Sequence, residues 1–257
     1  MRFFLRPRWL LTHALVVALA VTFVNLGFWQ LRRLEERRAD NAVIAENLSA
    51  PTVLLDDLLA QHGNDPDALV YRRVGVTGRY LQADEFLLTP RSHNREAGHH
   101  VVTPLLLEDG GAVLVDRGWV PFAMDTPPVP AAAPPDGEVT VAGILFPTQE
   151  AARYGSARGG ERLTYLSTVD VDRIQPQIGT PLLPVSILLQ EQDPPPGQLP
   201  VPGPPPEQSE GSHQSYAWQW FSFTAILLLG YPLLLRRSWR GRDEQGSPTT
   251  SERVTVS

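Results

Sequence analysis

The chain of 257 residues contains no cysteine and no lysine; all 22 basic residues are arginine, and there are only two methionines. Without a thiol it has no disulfide scaffold, cysteine nucleophile, iron-sulfur cluster or thiolate zinc site. A net charge of -6 and a pI near 5.5 leave no basic footprint, which sets nucleic acid aside as a partner. Catalytic signatures are missing too: there is no Gly-x-Ser-x-Gly elbow, Walker loop, His-Glu-x-x-His or dinucleotide fingerprint, so the chain reads as a non-enzyme. Lack of cysteine fixes no compartment. That has to come from membrane signals.

Formal charge is absent from two long stretches. Residues 9–31 hold no Arg, Asp or Glu, and His13 is the one group there able to become positively charged. As a helix this run covers a hydrocarbon core of ~30 Å and places Trp9 and Trp29 at the two interfaces. Arg2, Arg6, Arg8 and the small-x-small site Ala18-Leu19-Ala20 also fit a cleaved signal peptide. The apolar run continues to Trp29, however, which a retained anchor explains and a cleaved leader does not. Residues 216–235 form the second uncharged run, followed by Arg236, Arg237, Arg240 and Arg242. No Arg lies between Arg173 and Arg236, so the positive-inside rule puts the C-terminal tail in the cytoplasm, and two spans return the N-terminus there. Arg32, Arg33, Arg37 and Arg38 after the first span pull the other way. The intervening residues 39–213, with 23 acids against 10 arginines, suit an extracytoplasmic domain. A first span starting eight residues in leaves no room for a mitochondrial transit peptide, so the expected location is a bacterial plasma membrane.

The intervening sequence changes to short runs with a period of two, bounded by Gly and Pro. Strands are expected at 70–80, 85–89, 100–107, 112–120, 138–146 and 184–190, with a hairpin turn at Asp109-Gly110-Gly111. Short helices are expected at 54–61 and 169–178. Residues 121–135, with six prolines, and 194–206, with eight, read as linkers, the second a polyproline spacer of ~40 Å. The expected fold is a membrane protein with two transmembrane helices flanking a β-rich (α+β) extracytoplasmic domain, a small antiparallel barrel or sandwich. Its parts are a cytoplasmic N-terminus (1–8), helix (9–31), β-rich domain (32–192), Pro-rich linker (193–212), helix (213–235) and disordered cytoplasmic tail (236–257).

Four ordered blocks carry a resemblance. They are Leu26-Gly27-Phe28-Trp29-Gln30-Leu31-Arg32-Arg33; Tyr71-Arg72-Arg73-Val74 leading to Gly78-Arg79-Tyr80; Gly98-His99-His100-Val101-Val102-Thr103-Pro104-Leu105 running into Asp116-Arg117-Gly118-Trp119-Val120-Pro121; and His213-Gln214-Ser215-Tyr216-Ala217-Trp218-Gln219-Trp220-Phe221. Together they resemble the surfeit locus protein one family over about 9–235. The resemblance implies an assembly factor for haem-copper cytochrome c oxidase that aids haem a delivery or insertion, with the oxidase core subunit, a haem a synthase and the lipid bilayer as partners. The alternative is a scaffold that stabilises the nascent core without touching haem. The chain departs from the family in having Glu36 and Arg37 after the first block and Ser212 and Gln214 around His213.

Copper handling wants thiolate or thioether ligands, which this composition withholds; haem iron needs one imidazole among aromatic and apolar groups. The resemblance makes His213 the haem-iron ligand. Helical spacing puts His213, Tyr216, Ala217, Trp220 and Thr224 on one stripe, and Thr22, Asn25, Trp29 and Arg33 on another. A haem a pocket is therefore expected between the helices, contacted by Tyr216, Trp220, Asn25 and Trp29, with Arg33 or Arg32 pairing a propionate. The same residues also fit a plain interfacial anchor and packing face. Arg117 and Trp119, at a strand end, fit a partner-docking edge or a structural corner. Adjacent His99 and His100 point to opposite strand faces, which disfavours a shared metal with His93.

Overall fold

The computed structural model describes residues 7–63, 65–148 and 162–243. Arg2, Arg6 and residues 244–257 of the tail expected to be disordered (236–257) lie outside the described residues; residues 236–243 of that tail are helical. The chain forms two compact units, one of residues 1–41 and 209–257, the other of 42–208.

The first unit is helical. Helix α1 (Pro7–Ser49) and helix α5 (His213–Asp243) each contain a window apolar enough to cross a membrane. Each runs beyond its expected span. No Gly or Pro follows Gly27 until Pro51, and the polar run 32–49 is rich in the helix formers Arg, Leu, Glu and Ala, so α1 continues for several turns past Leu31. The Arg33 to Glu36 pair, 2.8 Å apart, adds a local i,i+3 contact. Residues 32–49, expected within the β-rich domain, are thus helical. Among the described residues nearly all exposed large apolar side chains lie on these two helices, Leu11, Leu15, Ile226 and Leu229 among them, with Leu54 and Phe122 the exceptions.

The second unit is built around one sheet. Strand β1 (Val53–Leu54) leads into α2 (Leu55–His62) and α3 (Pro66–Leu69); then come β2 (Arg73–Tyr80), β3 (Phe86–His93), β4 (Glu96–Leu106), β5 (Ala112–Pro121), β6 (Glu138–Pro147), β7 (Tyr165–Leu166), α4 (Val171–Ile174) and β8 (Leu182–Asp193). All six expected strands occur. Asp109-Gly110-Gly111 makes the β4–β5 turn, Gly110 taking φ +85° and the Gly111 N–H donating to Asp109 Oδ1. The β3–β4 hairpin extends further than expected, because Asn94 and Arg95 both adopt positive φ and close a two-residue loop. His93 is therefore in a strand. The order is β1-β2-β6-β8-β5-β4-β3-β7, and β2 also pairs with β4 at Arg79↔Leu106 and Tyr80↔Leu105, which turns the sheet back on itself. The antiparallel expectation fails for β5–β8, which run parallel (Leu114↔Ser186), and for the short β1–β2 and β3–β7 pairs. Sixty residues separate β5 from β8, ample for the crossover a parallel pair requires.

Alternation supplies two cores. Leu105, Val115, Val141 and Ile187 point to one face, with Leu55 and Leu58 of α2 packed in; Leu88, Val102 and Leu114 point to the other, under Val171 and Ile174. Each such side chain contributes ~1.5–3 kcal/mol of apolar burial. Both expected linkers are corrected by this packing. Val129 and Ala132, within 121–135, are buried against Leu87, Val101 and Val120. In 194–206, Val201 exchanges two backbone hydrogen bonds with Trp119, so the segment extends the edge beside β5 rather than standing free. Polyproline sequence leaves the intervening N–H groups unpaired, and Val201 is placed to use one of them.

Candidate functional site

On α5, Ala217 and Thr224 are buried and His213 and Trp220 half-buried, so most of the expected stripe does face inward. Tyr216 does not; it is exposed. On α1 the inward residues are Phe23, Leu26, Gly27, Gln30 and Leu34, a stripe turned by about one position from the expected Thr22, Asn25, Trp29 and Arg33. The physical reason is local satisfaction. The Thr22 hydroxyl donates to the Ala18 carbonyl and the Asn25 amide to the Val21 carbonyl, each four residues back, so neither needs a polar neighbour on the other helix. Trp29 is exposed, and Arg33 is taken up by Glu36 on the surface.

The pocket expected between the helices is also corrected. Glycine at 27 lets the Phe221 ring lie so close that an added Cβ would stand 2.5 Å from its Cε1. Phe23 meets Trp220 at 5.5 Å between ring centroids, and Phe28 meets Phe221 at 5.5 Å. No slot for a macrocycle remains at that level.

At the start of α5 the arrangement opens. His213 Nδ1 is 2.8 Å from Gln30 Oε1, and since a carbonyl oxygen only accepts, Nδ1 is the donor; in the neutral ring this leaves the lone pair on Nε2. A glutamine thus supplies the contact that orients a ligating imidazole. Gln30 carries neither charge nor an aromatic ring to mark it; its place within the Leu26–Arg33 block is the one signal that the sequence holds. Beside His213 lies a pocket of about 330 Å³, lined also by Arg33, Glu36, Arg37 and Asp40. Arg38 forms a bidentate pair with Glu210 just before the helix. The site therefore brings together one imidazole, two guanidinium groups and the carboxylates of Glu36 and Asp40, with Arg33 paired to Glu36. The imidazole and the guanidinium groups are the kind that hold a metalloporphyrin edge or a carboxylate. His13, near the opposite end of α1, bonds the Tyr231 hydroxyl of α5 and is held as a helix-pairing group.

In the sheet unit Arg117 and Trp119 are inside, which removes them as a docking edge. Arg117 is the extra residue of a bulge between Val101↔Gly118 and Val102↔Asp116, and Gly118 takes φ +124° beside it. Its fully buried guanidinium lies 5.2 Å from the Tyr80 ring centre and 3.4 Å from Glu85 Oε2. Glu85 also accepts from Thr103 Oγ1 and from the Val129 N–H. Burial pushes the Glu85 carboxyl above its usual range, against the Val129 N–H, Arg117 and Thr103, and pushes Arg117 below its own. Arg117-Gly118-Trp119 thus forms a bulged corner of β5, with Glu85 as the partner of Arg117. His99 and His100 do take opposite faces: His99 is buried against the Phe122 ring, whereas His100 pairs with Asp116.

Comparison with known proteins agrees with the resemblance. The model of the SURF1 family matches residues 17–225. An uncharacterized SURF1-like protein of Mycobacterium tuberculosis is 31% identical over 99% of this chain and 94% of its own length. SURF1-like proteins of Monosiga brevicollis (32% identical, 87% of each chain) and Rickettsia bellii (27% identical, 88% of this chain and 91% of that one) are similar along most of their length too.

Proposed function

The chain belongs to the SURF1 family, and from that premise we propose that it is an assembly factor for haem-copper cytochrome c oxidase that assists delivery of haem a to the oxidase core subunit. It works by transient binding rather than turnover. Helices α1 and α5 hold it in a bacterial plasma membrane with both termini cytoplasmic and the sheet unit extracytoplasmic. The exposed apolar faces of both helices and the arginines after the second uncharged run support that topology. Haem a is cargo in this reading, received from or alongside a haem a synthase.

The observation that carries it is the His213–Gln30 hydrogen bond, which leaves Nε2 available next to Arg33 and Arg37. Iron would be met by His213 and propionates by Arg37, with Arg33 exchanging its Glu36 partner, at the end of the helix pair. Of the other residues expected at the haem, Trp220 packs on Phe23, while Tyr216, Asn25 and Trp29 stay on the exposed surface and supply at most an outer wall. The experiment is an absorption spectrum of the purified full-length protein from cells that make haem a, wild type beside His213→Ala. A haem a spectrum in the wild type that is lost in the variant is expected. Haem-free protein from both overturns the cargo reading.

A second reading is favoured by the close Gly27–Phe221 packing: a scaffold that steadies the nascent core subunit without holding haem. Full oxidase activity restored by His213→Ala under limiting haem supply selects it.

A further inference from the structure

The sheet unit contains a cavity of about 240 Å³ that the oxidase-assembly reading does not use. Four polar side chains face it, and the register explains how they meet. Asp116 of β5 pairs with Val102 of β4 and with Leu188 of β8, so His100 and Ser186, each two residues from one of those partners, share its face. Leu88 is opposite His100. Arg91 is three residues from Leu88 and in a regular strand would point the other way. A register shift between Leu88 and Arg91, around Pro90, which has no N–H for the ladder, brings both into the same cavity.

Both Asp116 oxygens already accept, Oδ2 from His100 Nδ1 at 2.9 Å and Oδ1 from the Gly118 N–H at 3.1 Å. Arg91 donates one N–H to the Pro90 carbonyl and one to the Ser167 carbonyl, which leaves three of its five unused, and it makes no ion pair among the described residues. The Ser186 hydroxyl, on a buried residue, has no partner among them either. The cavity thus holds one cation with unused N–H groups, Arg91, pushed below the usual arginine range by burial against the opposing pull of Asp116, beside the Ser186 hydroxyl; the acceptors left are His100 Nε2 and the second lone pairs of the Asp116 oxygens. The other walls, Leu88, Phe146, Val169 and Leu188, are apolar. Gly203 closes one side, its position lying 3.5 Å from the His100 ring when a Cβ is added.

We propose that this cavity binds a small carboxylic acid with an apolar body, the carboxylate taken by Arg91 and Ser186 and the body packed on Leu88, Phe146, Val169 and Leu188. Its volume is below the ~300–1,000 Å³ of drug-sized sites and excludes a porphyrin. The site stands independently of any haem role for His213.

The test is equilibrium dialysis of the full-length protein in nanodiscs, with empty nanodiscs subtracted, using 3-phenylpropanoate and 3-phenylpropylamine as probes. One acid per chain is expected to bind saturably and at least tenfold more tightly than the amine. Arg91→Gln should weaken the acid by about tenfold or more, as loss of a charge-assisted hydrogen bond does. Leu188→Trp fills the cavity from the sheet and Gly203→Val from the Pro-rich segment, and either should abolish uptake while Arg91 remains. The second variant lies outside the regular strands, so it keeps the test sound where the first misfolds. Absence of saturable uptake at millimolar acid, equal affinity for the amine, or undiminished binding in a folded filling variant overturns the proposal.

Discussion

The two units place polar groups inside by opposite means. In the sheet unit a cation and a carboxylate, Arg117 and Glu85, are both fully buried and joined to Thr103 and the Val129 N–H. In the helix unit the inter-helix polar contacts at the two ends, Gln30 with His213 and His13 with Tyr231, join no carboxylate to a guanidinium. A dry core makes the first arrangement severe: the pair is costly to bury, yet removing one partner leaves an uncompensated charge. Helix packing tolerates the second, because backbone groups are satisfied within each helix and side-chain bonds add little.

The largest expected effect is therefore in the sheet unit. Glu85→Leu leaves Arg117 charged and the Val129 N–H unpaired, for a loss of about 3–5 kcal/mol. Hydrogen exchange of β4 and β5 amides in the full chain reads it. Adding Arg117→Met should recover much of the loss, since an apolar pair can replace a buried ionic one; no recovery would mean that the Val129 and Thr103 contacts, not the charge, carry the effect. The same pair has a pH signature. The Glu85 carboxyl is held above its usual range, so between the unfolded value near 4.5 and the higher folded value the native state keeps a proton the unfolded chain has lost. Stability falls as pH rises through that window. Glu85→Gln lacks the titration, so the difference between wild type and this variant should shrink as pH rises from 4.5, measured by the same exchange experiment.

Next in size is Gly27→Val. The new side chain meets Phe221, and overpacking of this kind costs about 1–3 kcal/mol. A lower unfolding midpoint of the detergent-solubilised protein is expected, with rescue by Phe221→Ala. Under the proposed haem role, Gln30→Leu acts on ligation more than on stability: His213 keeps its place on α5 but loses the acceptor for Nδ1, and loss of such an orienting contact weakens ligation by about 10- to 100-fold. Haem a titration of the purified variant measures it. Unchanged affinity would make Gln30 a packing residue only.

These variants also mark where the sequence was legible. Strands from Arg73–Tyr80 to Leu182–Asp193, the Asp109-Gly110-Gly111 turn and both long helices follow from period, turn chemistry and uncharged length, all of which act within one element. What failed depended on choices between elements. The α1 face was misplaced by one residue because Thr22 and Asn25 look like interface groups in sequence, while in the helix they bond their own backbone. Glu85 gave no sign of pairing with a residue 32 positions away, and Gln30 none of reaching 183 positions to His213. The proline-rich stretches misled for a related reason: composition describes stiffness, whereas the burial of Val129 and the pairing of Val201 depend on strands elsewhere in the chain.

The smallest effect separates the units most cleanly. Tyr231→Phe removes the hydroxyl that bonds His13 Nδ1 but keeps the ring, which stands edge-on to the imidazole at 5.7 Å between centroids. With the two helices in a bilayer, as proposed, bonds of this kind average about 0.6 kcal/mol, because helices that come apart within the bilayer find other partners for the same groups. A double-mutant cycle with His13→Leu should return a coupling of that order, far below the Glu85–Arg117 value. Coupling of several kcal/mol would place His13 in the same class as the buried pair and erase the contrast, since it would mean that water and alternative partners are as remote from the helix ends as they are from the sheet core.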